Sequence, residues 1–172
     1  SSPRDNFLVK RLGYFANCNL LDAVPKVDGF FSLYPRESGE INLLLYGSTN
    51  ADCPRLQDFL SVSQVTARGN EVEWAKRDSY LPMVTAGQRP VFADDRSTLQ
   101  LLAGRAWQPS EVVLLPLESR ARIVVSNAST ARIIAARFEN QRVQVEAEGA
   151  EPFFVVLSQS YYLRWRASVD GE

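Results

Sequence analysis

Residues Arg142-Val143-Gln144-Val145-Glu146-Ala147-Glu148 alternate strictly, with every second side chain apolar and the ones between polar or charged. Successive side chains of a strand point to opposite faces, so the stretch predicts a β-strand with one face toward a core and one toward water. Residues 132–138, with Ile133, Ile134 and Phe138, lie just before it. Only Asn140-Gln141 and one glutamate separate the two stretches. A tight turn there makes them an antiparallel hairpin.

Strand signals continue on both sides of this hairpin. Residues 153–157 are apolar throughout and read as a central strand, while 112–117 form another apolar run and 123–125 a short one. Leu163, Trp165, Ala167 and Val169 alternate with Arg164, Arg166, Ser168 and Asp170, which predicts a further half-buried strand. It leads into Asp170-Gly171, a dipeptide suited to a hairpin turn. The expectation is that the natural polypeptide continues past Glu172 into a partner strand.

The front half reads differently. Residues 1–12 are polar and read as loosely ordered, and 14–27 show no clear period. Gly29 marks a turn before the aromatic run 30–34. Pro35 opens a helix with Ile41, Leu44 and Leu45 on one face and Gly47 as its stop. Asp52-Cys53-Pro54 starts a second, carrying Leu56, Phe59 and Leu60. Residues 62–67 and 71–76 pair as a hairpin about Arg68-Gly69-Asn70, and 81–84 and 90–92 are extended. A third helix begins at Ser97, with Gln100 three residues on as a capping box, and ends near Gly104 and Pro109.

The fold class is therefore α+β, a mixed α/β front half followed by an antiparallel, β-sandwich-like back half. The weakest point of the pattern, near residues 106–110, divides the chain into 1–109 and 110–172, two lobes that can also share one core.

Composition narrows the function. The chain has 172 residues, 45% of them hydrophobic, too many for a disordered protein. Its net charge is −1, which argues against a nucleic-acid binder. It has no histidine, so the commonest general base and zinc ligand are missing, and with them the Ser-His and Cys-His dyads. No catalytic residue, cofactor site or metal site emerges. Cys18 and Cys53 fit either one disulfide or two separate buried thiols. No stretch reaches the ~18 consecutive apolar residues of a membrane helix.

One resemblance covers nearly the whole chain. The segment Pro152-Phe153-Phe154-Val155-Val156-Leu157-Ser158-Gln159-Ser160-Tyr161-Tyr162-Leu163-Arg164-Trp165, closed by Val169-Asp170-Gly171, resembles a signature of YfhO-type bacterial membrane proteins. In that family an apolar strand ends in Ser, followed by a Tyr pair, a Gly-Trp and a Val-Asp-Gly turn; Arg164 stands where the family carries Gly. Asp28-Gly29-Phe30-Phe31-Ser32-Leu33-Tyr34-Pro35-Arg36, then Phe59-Leu60-Ser61-Val62-Ser63-Gln64-Val65, Leu81-Pro82, and Trp107-Gln108-Pro109 with Val112-Val113-Leu114 are similar to further family segments in the same order, with Gln64 in place of a common aromatic and Met83 in place of the usual Arg. The resemblance implies a polytopic protein like the glycosyltransferases that use polyprenyl-linked sugars. This chain would be an extracytoplasmic domain of it, attached to the membrane in the full-length protein and non-catalytic by itself. The implied partners are the membrane portion of the parent and a glycan or lipid-linked sugar.

The residues offered for ligand contact are Tyr161, Tyr162, Trp165 and Arg164. Aromatic rings at a strand rim can stack on sugar rings, and they can equally serve a core with polar tips at the surface. Asp94 and Asp95 suit the start of a helix better than an acid pair. Arg120, Arg122, Arg132, Arg137 and Arg142 are interspersed with glutamates and read as a mixed solvated surface. A purely structural or interaction module and a free-standing carbohydrate-binding domain are the alternatives. A hydrolase using two carboxylates is disfavoured.

Overall fold

A computed structural model describes residues 2–27, 35–47, 53–161 and 163–171, with the side chain of Glu71 excepted. The expected turn at Gly29, the aromatic run after it, Asp52 and Tyr162 lie outside the described residues.

Helix α1 spans Pro3–Leu12, where loosely ordered chain was expected. The deciding signal is a capping box. The Ser2 hydroxyl accepts from the Asp5 amide at 3.1 Å, and the Asp5 carboxylate accepts from the Ser2 amide at 2.9 Å. Pro3 occupies the first turn, where its missing N–H is no loss, and Lys10 and Arg11 face the negative end of the helix dipole. Irregular 3₁₀ turns over Phe15–Asp22 follow. Arg11 clasps Asp22 with its two terminal guanidinium nitrogens, at 2.5 and 2.6 Å, and so ties these turns to α1.

Helix α2 (Arg36–Tyr46) follows Pro35 and stops at Gly47, as its spacing predicts. Helix α3 (Pro54–Phe59) buries Leu56. Strands β1 (Gln64–Ala67) and β2 (Asn70–Lys76) form the expected antiparallel hairpin, with Val65 opposite Ala75 and Thr66 opposite Trp74. Gly69 lies at φ 78°, a conformation that glycine adopts without strain.

Next come β3 (Val84–Ala86) and β4 (Arg89–Ala93), then helix α4 (Asp95–Ala103) and β5 (Val112–Pro116). β4 and β5 pair in parallel, from Arg89 opposite Val112 to Ala93 opposite Pro116. Parallel neighbours need a long crossover, and α4 supplies it. The N-cap of α4 is Asp94, not Ser97: its carboxylate accepts from the Ser97 amide at 2.7 Å and from the Ser97 hydroxyl at 3.2 Å. Aspartate caps at least as well as serine, so the helix begins one turn earlier.

β6 (Arg132–Glu139) and β7 (Arg142–Glu148) form the hairpin that the alternation predicts, with Phe138 opposite Val143 and Ala136 opposite Val145. Gln141 turns it at φ 64°. Its apolar face is only partly covered, with Ile134 and Phe138 almost half exposed. β8 (Val155–Leu157) pairs antiparallel with β3, Val84 opposite Leu157. Its one strand neighbour among the described residues is β3, so it is not the central strand expected at 153–157. Residues 163–169 and 123–125 are not strands either. Alternation marks which side chains suit a strand, but a strand forms only where a neighbour accepts its backbone hydrogen bonds. Asp170 and Gly171 do take left-handed values, φ 52° and 91°, as a hairpin turn requires.

The architecture is α+β, with helices concentrated in the front and strands in the back. The eight strands of the described residues pair into four two-stranded ladders, and two of them, β3–β8 and β4–β5, join residues on either side of position 109. Among the described residues the buried hydrophobic ones are Cys53, Leu56, Val84, Trp107 and Val112.

Candidate functional site

The segment singled out for ligand contact hangs from the end of β8. The Ser158 amide donates to the Met83 carbonyl at 2.9 Å and extends the β3–β8 pairing by one residue. Two residues on, the Ser160 hydroxyl meets that of Ser38 in α2 at 3.2 Å. The chain then emerges into solvent. Tyr161 is 70% exposed and Arg164 is exposed, while Trp165 is half-buried. Leu163, between them, is 87% exposed. The structure thus sets Tyr161 and Arg164 at the surface, with Trp165 partly withdrawn.

Two other tryptophans serve the framework. Trp107 is buried, its ring tilted against Phe59 with centroids 5.4 Å apart, and its Nε1 donates to the Val112 carbonyl at 3.2 Å. Trp74 packs against Tyr14 at 5.5 Å and donates to the Leu12 carbonyl at 3.2 Å, joining β2 to the end of α1.

The acidic pair at 94–95 is engaged with helix α4 and its surroundings. Hydrogen bonds from Ser97, the backbone amide first, hold the Asp94 carboxyl below the usual carboxylate range. Asp95 accepts from Arg36 at 2.8 Å and thereby links α4 to α2. Among the described residues no three side chains of His, Cys, Asp or Glu gather as a metal site. Cys18 is half-buried and Cys53 buried, the two are not joined in a disulfide, and the Cys53 thiol donates to the Leu44 carbonyl at 3.7 Å.

The arginines of the back half are dispersed. Arg132 pairs with Glu148 across the β6–β7 hairpin at 2.6 Å. The Arg120 guanidinium lies 5.6 Å from the centre of the Phe92 ring. Both line a shallow hollow of about 340 Å³, together with Pro90, Ile123, Val125 and Ser126. None of the residues offered for ligand contact lies there.

One buried polar cluster escaped the sequence reading. Asp58, 5% exposed, accepts from Arg77 at 3.0 Å and from the Ser79 hydroxyl at 2.9 Å. Arg77 also donates to the carbonyls of Val62 and Pro54. The cluster joins α3, the approach to β1 and the exit from β2. Its partners come from three segments, so no local spacing announces it, although an aspartate between Leu56 and Phe59 on a short helix is a weak hint.

No protein-family model, curated protein or solved structure matches this chain.

Proposed function

We propose that this chain is an extracytoplasmic accessory module of a polytopic membrane protein resembling the glycosyltransferases that use lipid-linked sugars, and that it works by docking on the membrane portion of that parent. One observation carries the docking part of this reading. Among the described residues 23 large apolar side chains are exposed, against five hydrophobic residues that are buried, which leaves much apolar surface for a partner to cover. The ordered run of family-like segments, above all the one through Tyr161 and Trp165, supports the identity of the parent. Among the described residues no helix is long and apolar enough to cross a membrane, so in this reading the spanning part lies elsewhere in the parent.

The deciding test is translation of the native reading frame on both sides of these residues. Several apolar segments of about 20 residues upstream support the reading. A frame without any such segment overturns it. Contact with a glycan or lipid-linked sugar is the second reading, and it rests on the exposure of Tyr161 beside Arg164. Titration with polyprenyl-phosphate sugars, followed by tyrosine and tryptophan fluorescence, tests it. Saturable binding that Tyr161→Ala weakens supports it, and no binding sinks it.

A further inference from the structure

The β6–β7 hairpin leaves one sheet edge bare. β6 lies near β3 and bulges between Ile133 and Ala135. β7 has β6 as its one strand neighbour, and its outer edge makes no backbone hydrogen bond among the described residues. β7 carries no proline, lysine or bulge, the devices that blunt such an edge. A bare edge of this kind is a template for one more strand.

The chain also holds a strand-like segment with no place in a described sheet. Leu163, Trp165, Ala167 and Val169 alternate with Arg164, Arg166 and Ser168, yet residues 163–169 form no strand. Leu163 and Val169 are 87% and 75% exposed. Arg164 and Arg166 are exposed and make no ion pair with a described residue.

Segment and edge are complementary in one antiparallel register. With Arg166 opposite Glu146, Arg164 falls opposite Glu148 and Ser168 opposite Gln144. Glu148, which Arg132 meets from β6, then lies between two arginines. On the other face Trp165 falls opposite Ala147, Ala167 opposite Val145 and Val169 opposite Val143. Opposite charges directly across two strands are favourable, and so are apolar pairs on a shared face. The parallel alternative, with Arg166 beside Gln144, sets Arg164 beside Arg142 and Asp170 beside Glu148, and like charges so placed repel.

We propose that residues 163–169 of one copy of this chain add as a strand to the outer edge of β7 in a second copy, and that the exchange is reciprocal. Both elements are present within one chain and do not pair there, so the strand comes from the other copy. Each copy is donor and acceptor at once, which closes the assembly as a two-fold dimer.

Sedimentation equilibrium of the full chain over a concentration series tests this. A dimer that dissociates on dilution is expected. Arg166→Glu sets two carboxylates against each other and should raise the dissociation constant about tenfold or more. Glu146→Arg sets two guanidinium groups together and should do the same. Mixed in equal amounts, the two variants should dimerise like the parent sequence, because each altered charge then meets its opposite on the other chain at both contacts. Both positions are exposed, and circular dichroism checks that each variant is folded. A chain still monomeric at ~1 mM overturns the proposal. So does a dimer that Arg166→Glu leaves intact, the result expected if β7 pairs with β7 instead. Failure of the mixture to recover the dimer also overturns it, since residues 166 and 146 then do not meet between chains.

Discussion

The carboxylate of Asp58 and the guanidinium of Arg77 meet at 3.0 Å with their side chains 6% and 11% exposed, the most enclosed ion pair among the described residues. Removing Asp58 leaves Arg77 buried without its counterion, and removing Arg77 leaves Asp58 with only the more exposed Arg55 at 3.6 Å and takes the donor from two backbone carbonyls, losses that typically cost about 3–5 kcal/mol. Arg77→Ala should therefore lower the urea midpoint sharply. Replacing both, Asp58→Ala with Arg77→Ala, should cost less than the two single losses added together. Additive losses would show that the pair is not coupled.

Trp107 bridges α3 and the β4–β5 ladder through Phe59 and the Val112 carbonyl. Trp107→Ala is expected to destabilise by about 3–5 kcal/mol, the usual loss for an aromatic core residue. Trp107→Phe keeps most of the volume but leaves a carbonyl without its donor, so its loss should be smaller, on the order of 1–3 kcal/mol. Thermal denaturation of the two variants measures the difference, and equal losses would remove the hydrogen bond from the account.

Gly87 connects β3 to β4 at φ 86°, and its carbonyl accepts from the Ser129 amide at 2.9 Å. A Cβ there would lie 2.6 Å from the Ser129 carbonyl oxygen. Gly87→Ala combines left-handed strain with backbone overlap, so about 2 kcal/mol or more should be lost. Hydrogen exchange should quicken at the Ser129 amide in particular. Unchanged protection there would refute the close approach.

Acid should loosen the helix-terminal contacts. The Asp22 carboxyl sits below its ordinary range chiefly because Arg11 donates to it, and that of Asp5 chiefly because the Ser2 amide does. Asp94 is lowered by Ser97. A folded-state value below the unfolded one gives stability that is complete above the ordinary Asp value of about 3.9 and is lost as pH falls through the folded values. Melting temperature followed from pH 7 to pH 3 should therefore fall below about pH 4. Asp22→Asn and Asp94→Asn should flatten that fall, and an unaltered profile in both would show that these caps do not set the acid limb.

What the sequence by itself determined was local. Alternation and a short turn place β6 against β7, Arg68-Gly69 closes β1 on β2, and Pro35 with Gly47 brackets α2. Each of these rests on residues within a turn or two of one another, so composition and spacing carry the whole signal. Where two local signals competed, as between Asp94 and Ser97 for the start of α4, hydrogen-bond geometry chose between them. Tertiary structure decided the rest. The parallel pairing of β4 with β5, the pairing of β3 with β8 across some seventy residues, and the Asp58–Arg77 cluster join segments distant in the chain. The alternation at 163–169 shows the other side of this, since it has every local mark of a strand and no strand forms. Of the offered contact residues, the aromatic and basic character of Tyr161, Arg164 and Trp165 was legible. Their exposure was not, because it depends on how far the chain after Ser160 departs from β3 and α2.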